Sequence, residues 1–146
     1  MKQKYIDLYM DWAARAAELS HARRLHVGAV IVKDDTVISY GYNGMPAGWD
    51  NNCENYVYNE NNEMSLKTKP EVLHAESNAI AKLAKSTNSG LGADLFVTHS
   101  PCMECSKLIF QSGIRRVFYA EDYRDDAGIK FLKLSGVEVK QVEKHT

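Results

Sequence analysis

The sequence predicts an α/β fold, a three-layer α/β/α sandwich around one mixed sheet of five strands. Two observations carry that expectation. Short β-branched runs alternate with segments of helical periodicity, and their order reads α-β-β-α-β-α-β-α-β without an internal repeat or a linker. At 146 residues the chain suits one compact unit that can bury a core, so residues 1–146 are expected to form a single domain.

Residues 4–20 place Tyr5, Leu8, Tyr9, Trp12, Ala16 and Leu19 at helical spacing. They predict an amphipathic first helix that lays these side chains on something apolar. Ser20–His26 is a basic connection, a pattern more often solvated surface than a site. Val27–Val32 reads as a strand buried on both faces, Lys33-Asp34-Asp35-Thr36 as a turn, and Val37–Tyr42 as the second strand of a hairpin. The exit Gly41–Gly48 carries Gly41, Gly44, Pro46 and Gly48, residues suited to tight turns and close backbone approach. It has neither the spacing nor the Gly-Lys-Ser/Thr of a Walker-type phosphate loop.

Residues 49–73 are crowded with asparagine and show no apolar period. They are expected to be an irregular insertion, either a functional lid or a partly disordered segment, with Tyr56 and Tyr58 packing it down. Cys53 within it reads as a lone free thiol. His74–Thr87 is helical by composition and stops at Asn88–Gly92, where Gly90 is available as a left-handed cap. A strand follows at Ala93–His99. Ser100 and Pro101 then predict a helix start, Ser as cap and Pro at the first helical position, with the helix running to Gln111. Arg116–Ala120 reads as a strand, Asp126–Leu134 as the fourth helix, Ser135-Gly136 as a turn and Val137–Val142 as the last strand.

Bulk properties narrow the function. The formal charge of -1 argues against a nucleic-acid polymer as partner, because domains that grip a phosphate backbone are usually basic. No apolar run approaches a membrane span, and Met1-Lys2-Gln3-Lys4 leads into no secretory core. Three cysteines, two of them in Cys102-x-x-Cys105, make a poor disulfide framework and suit a reducing, cytoplasmic setting.

The chemistry is concentrated in His74-Ala75-Glu76 and Pro101-Cys102-Met103-Glu104-Cys105. One His and two Cys are a plausible three-ligand set for zinc, leaving the fourth tetrahedral position for water. Cys102 and Cys105, three apart at a helix start, present both sulfurs on one face, and a helix N-terminus favours the thiolates zinc requires. Glu76 stands close enough to exchange protons with that water without ligating the metal. Two other readings stay open at this point: a thioredoxin-type redox pair, and a structural zinc completed by Cys53, His99 or His26.

His-x-Glu followed by Pro-Cys-x-x-Cys is the signature of the zinc nucleobase deaminases. From Arg24 to Asp125 the chain resembles the cytidine/deoxycytidylate deaminase superfamily, and within it the deoxycytidylate (dCMP) deaminases. Beyond the metal signature, the resemblance rests on Val27–Val32, on Gly41-Tyr42-Asn43-Gly44 with Pro46 and Gly48, on His74–Ile80 and on Tyr123-Arg124-Asp125. It implies a cytidine deaminase-like fold and one catalytic Zn2+ per chain on His74, Cys102 and Cys105. It further implies Glu76 as the proton carrier in hydrolysis of dCMP to dUMP and ammonia, supplying dUMP for thymidylate synthesis. Asn43 matches a sugar-binding position, and Arg24, Tyr123 and Arg124 match positions at the sugar-phosphate end, where Arg suits phosphate through bidentate bonds. The acids flanking Arg124 would orient it.

The resemblance also implies a homohexamer activated by dCTP and inhibited by dTTP. Gly44, Pro46 and Gly48 would then wall a regulatory nucleotide carrying Mg2+ on its triphosphate. Some relatives hold a second, structural zinc, for which Cys53 is the only spare thiol here. The competing functions are a tRNA adenosine deaminase or single-stranded DNA cytosine editor, deamination of the free nucleoside or the triphosphate, and a zinc-stabilised binding module without turnover.

Overall fold

A computed structural model of the chain describes residues 1–143; the last three positions of the expected domain, 144–146, lie outside the described residues. The elements are α1 (Gln3–Ala17), β1 (Gly28–Lys33), β2 (Thr36–Tyr42), β3 (Glu54–Tyr58), β4 (Met64–Thr68), α2 (Ala75–Ala84), β5 (Asp94–His99), α3 (Met103–Gln111), β6 (Arg116–Glu121), α4 (Ala127–Leu134) and β7 (Glu138–Gln141). The main sheet runs β2-β1-β5-β6-β7. β1 is antiparallel to β2 and β5, whereas β5, β6 and β7 are parallel, so the expected mixed five-stranded sheet is present.

Alternation along the central strands splits the core between two faces. Val30, Val32, Phe96 and Phe118 point to one face and meet Ile6, Tyr9 and Ala13 of α1. Phe96 stacks on Phe118 at 4.7 Å between centroids, with Tyr9 5.2 Å from Phe96. Ala29, Ile31, Leu95, Val97 and Val117 point the other way, onto Ala79 of α2, Ile109 of α3 and Leu132 of α4. Each large side chain buried this way contributes about 1.5–3 kcal/mol. No described helix is long and apolar enough to cross a membrane.

The hairpin turn forms as its sequence directs. Asp34 and Asp35 both take positive φ, 50° and 58°, between the paired Lys33 and Thr36, the geometry whose twist matches antiparallel strands.

Helix α1 covers the sheet with a different stripe from the one its large residues suggest. Ile6, Tyr9, Ala13, Ala16 and Ala17 are buried, while Tyr5, Leu8, Trp12 and Leu19 are exposed, Trp12 by 48%. The reason lies in β1: a Cβ at Gly28 would sit 2.0 Å from the Ala13 carbonyl oxygen and 2.5 Å from the Ala17 nitrogen. The helix approaches too closely for bulky residues on that side, so alanines face the strand.

Residues 49–73 are more ordered than their composition suggests. β3 and β4 form an antiparallel ribbon, separate from the main sheet, with Tyr56 opposite Leu66. The asparagines build its connections. Asn59 Oδ1 accepts from Asn61 N and Glu63 N, and Asn62 adopts φ 63°. Tyr58, 65% exposed, does not pack the segment down; Tyr56 holds it only at its edge, its ring 5.2 Å from the Arg23 guanidinium and otherwise 57% exposed. Beyond the buried Glu54 the ribbon is largely solvated on both faces, so it carries no alternation of apolar and polar residues for the sequence to reveal.

Two caps also differ. Gly90 is not left-handed, whereas Gly92 has φ 75°. Ser100 does not cap α3; Cys102 does, its sulfur accepting from Cys105 N, and Pro101 lies before the helix.

Gly41 repeats on the opposite face what Gly28 does beneath α1. A Cβ there would lie 2.3 Å from Ala75 O and 2.7 Å from Ala79 N, both backbone atoms of α2. Gly41→Ala is therefore expected to lower stability by about 2–3 kcal/mol, read from the denaturant midpoint, and to reduce zinc uptake because it lifts the first turn of α2. Wild-type stability and zinc content together would show that α2 tolerates the added methyl.

Candidate metal centre and binding cavity

The N-termini of α2 and α3 meet above the sheet. His74 caps α2 with an extended backbone (φ -78°, ψ 155°), so its ring is free of helical constraint. Helix α2 is strapped to β2 by Ser39 Oγ donating to Ala79 O at 2.7 Å and by Asn78 Nδ2 donating to Tyr42 O at 3.3 Å. The start of α3 rests on α4: a Cβ at Gly128 would fall 2.2 Å from Pro101 O and 2.8 Å from the Cys102 carbonyl carbon. Each ligand-bearing turn thus depends on a glycine in another element.

His74 Nδ1 lies 3.4 Å from Cys102 Sγ and 3.3 Å from Cys105 Sγ, and all three donor atoms fall within 4.8 Å of one another. Tetrahedral zinc with bonds of about 2.0 Å to nitrogen and 2.3 Å to sulfur spaces such neighbours about 3.6 Å apart, so the trio fits the metal. The Cys102 thiol is held down at about 4, first by its hydrogen bond with Cys105 and then by His74. Cys105 is pushed up by the bond to Cys102 and by burial. The pair already places one thiolate beside the imidazole, as a cationic metal requires. Among the described residues none of Cys53, His99 and His26 joins the set. Cys53 Sγ donates to Asn51 O, His26 Nε2 meets Ala22 O, and His99 lies against Thr98 Oγ1 and Glu121.

Glu76, the second residue of α2, is 4% exposed. Burial raises its carboxyl to about 7, against an opposing backbone hydrogen bond and the charge of His74. At neutral pH such a group can both take and give a proton.

A cavity of about 430 Å³ opens over this centre. Its wall includes His74, Glu76 and Cys102 together with Arg24, Asn43, Tyr123 and Arg124, all singled out in the sequence. The carboxyl ends of the parallel strands β5 and β6 supply His99, Ser100, Glu121 and Asp122, the usual place for a ligand crevice in such a sheet. Arg124 lies with its guanidinium 5.8 Å from the Tyr123 ring and makes no ion pair with its flanking acids among the described residues. The expected orientation of Arg124 by those acids is therefore absent. The loop is held instead by Ser100, whose Oγ accepts from Tyr123 N at 2.7 Å.

Asn43 lines the cavity with its amide already engaged: Oδ1 accepts from Val27 N at 2.8 Å and Nδ2 donates to Leu25 O at 2.7 Å. One amide hydrogen and one lone pair remain for a ligand. Gly44, Pro46 and Gly48 do not line the cavity. Gly44 forms a bridge with Leu73, immediately before His74, through hydrogen bonds of 3.1 and 2.8 Å. Thr68, from the ribbon, also faces the cavity. The sequence offered no signal for it, since it sits in a stretch with no period.

Fold and metal cluster together define a class of protein. The chain belongs to the cytidine and deoxycytidylate deaminase family: the model of that family's zinc-binding region matches residues 3–121. Among individual relatives, ComE operon protein 2 of Bacillus subtilis (strain 168) is 41% identical over 121 residues, covering 82% of this chain and 61% of that protein. The deoxycytidylate deaminase of Saccharomyces cerevisiae is 36% identical over 145 residues, covering 97% of this chain and 46% of its own. The chain thus spans less than two thirds of the length of these two relatives. The crystal structure of dCMP deaminase from the cyanophage S-TIM5, in complex with dCMP and dUMP, matches with a TM-score of 0.88 at 42% identity, over 97% of this chain and 99% of that one.

Proposed function

We propose that this protein is a zinc-dependent deaminase that hydrolyses dCMP to dUMP and ammonia. One observation carries the reading: a single cavity joins the His74, Cys102 and Cys105 cluster and the buried Glu76 to Arg24, Asn43, Tyr123 and Arg124. The likeness to deoxycytidylate deaminases supports the substrate.

His74, Cys102 and Cys105 would hold the zinc, which when bound supplies a Lewis acid that lowers the pKa of water. Glu76 accepts a proton as water adds to ring carbon 4 and gives it to ring nitrogen 3. It then takes the proton of the new C4 hydroxyl and passes it to the amino group, which leaves as ammonia while the C4 carbonyl forms. The products balance as dUMP and ammonia. Asn43 orients the sugar with its remaining donor and acceptor, while Arg24, Tyr123 and Arg124 take the phosphate.

The same reading includes a homohexamer supplying dUMP for thymidylate synthesis, activated by dCTP and inhibited by dTTP at the Gly44, Pro46 and Gly48 loop. The Gly44–Leu73 bridge supports the regulatory part, because a ligand that moves this loop pulls on the residue preceding His74.

The deciding experiment follows ammonia release from zinc-loaded protein with dCMP, deoxycytidine, dCTP and CMP in parallel, each with and without dCTP or dTTP as effector. Preference for dCMP supports the substrate, and activity on none of the four rejects it. Arg124→Ala is expected to lower kcat/KM for dCMP about 10–100-fold while changing deoxycytidine little, since the lost charge-assisted bonds are to phosphate. Equal losses on the two substrates would remove Arg124 from the phosphate site.

A further inference from the structure

The β3–β4 ribbon has no part in the mechanism above, yet it holds a buried acid. Glu54, the first residue of β3, is 1% exposed. Both its carboxylate oxygens accept from one backbone donor, Arg23 N, at 3.0 and 2.9 Å. The Arg23 side chain closes over the same ribbon. Its Nε lies 4.0 Å from Glu54, Nη1 donates to Tyr56 Oη at 2.9 Å, and Nη2 donates to Asn52 Oδ1 at 3.1 Å. A carboxylate removed from water is tolerated only while such donors stay in place, so the Ala22–Arg23 peptide is pinned to the ribbon.

The next residue is Arg24, which lines the cavity. Its Nη1 donates to Thr68 Oγ1 of β4 at 3.1 Å. On the opposite side Asn43 bridges Leu25 O and Val27 N. The basic connection is therefore held by Asn43 at both ends, through Ser20 Oγ donating to Asn43 O at 2.7 Å and the Asn43 amide donating to Leu25 O, and by the ribbon at Arg23 and Arg24 between them. An arginine that binds phosphate through paired hydrogen bonds works only if its backbone is fixed, because displacement of the stem removes the alignment.

We propose that Glu54 is a positioning residue: through Arg23 N it fixes the backbone from which Arg24 reaches the substrate phosphate, while Thr68 presents the guanidinium to the cavity. This assigns the ribbon a task in selecting a phosphorylated substrate, and it rests on the phosphate reading of Arg24 given above.

The test compares full-length, zinc-loaded wild type, Glu54→Gln, Arg24→Ala and the double variant on dCMP and deoxycytidine. Gln keeps one acceptor oxygen and turns an amide toward the Arg23 N–H. Glu54→Gln should lower kcat/KM for dCMP about tenfold, mainly through KM, and leave deoxycytidine within about twofold. In the Arg24→Ala background the same change should cost nothing further on dCMP. Equal loss on both substrates, or a full Glu54→Gln effect without Arg24, overturns the proposal. A selective loss in Arg24→Ala beside a silent Glu54→Gln overturns it alone. Undiminished dCMP preference in Arg24→Ala overturns the phosphate reading of Arg24 and the proposal together. Should Glu54→Gln not fold, Thr68→Val decides: a dCMP-selective loss that disappears without Arg24 supports the proposal, and none rejects it.

Discussion

Glu76→Gln is expected to abolish ammonia release from dCMP, by about 10³-fold or more, with zinc content and fold retained. Gln has nearly the same shape and can occupy the buried site, but it cannot carry a proton between water, ring nitrogen and leaving group. The wild-type carboxyl is set apart by its 4% exposure, which raises it to about 7. Replacing it with a neutral amide removes a group that is costly to bury in ionised form, so thermal stability should hold or rise slightly. Zinc analysis and a melting curve, taken on the sample used for kinetics, separate the outcomes. Full activity would sink the proton-carrier mechanism. Lost zinc would make Glu76 a ligand and favour a structural metal.

Metal removal should have an effect of similar size. Dialysis against a chelator is expected to abolish activity and lower the melting temperature, and added zinc should restore both. Three convergent donors drawn from two helix starts bring mutual repulsion once both cysteines are thiolates, and the metal offsets it. Cys105→Ala should give the same loss without rescue, because Cys105 is 2% exposed and no other described Cys or His stands ready to replace it. A redox pair behaves differently, responding to thiol oxidants and ignoring chelators. A binding module would lose stability on chelation with no activity to lose.

Much of the site is legible in the amino-acid sequence alone. His74, Glu76, Cys102 and Cys105 are local patterns, two or three residues apart at helix starts, and such spacing determines direction without reference to the remainder of the chain. The strands of the main sheet were legible for a related reason. Val30–Val32 and Leu95–Val97 are buried on both faces, so their runs are continuously apolar. The β3–β4 ribbon fails that test because, beyond the buried Glu54, it is largely solvated on both faces, and its turn is ordered by asparagine side chains bonding to backbone. On α1 the pattern misled: Trp12 and Leu8 outweigh Ala13 and Ala17 in apolarity, but Gly28 admits only small residues.

The sequence by itself determined the order along the chain of the elements that build the main sheet, the donor set for the metal and the carboxylate beside it, because each is written in contiguous residues. Tertiary structure alone decided which contacts hold them. Gly41 under α2, Gly128 against Pro101, Ser100 on Tyr123 and Glu54 on Arg23 are separated in sequence from what they position. No local periodicity encodes such pairs; only close packing of the layers brings them together.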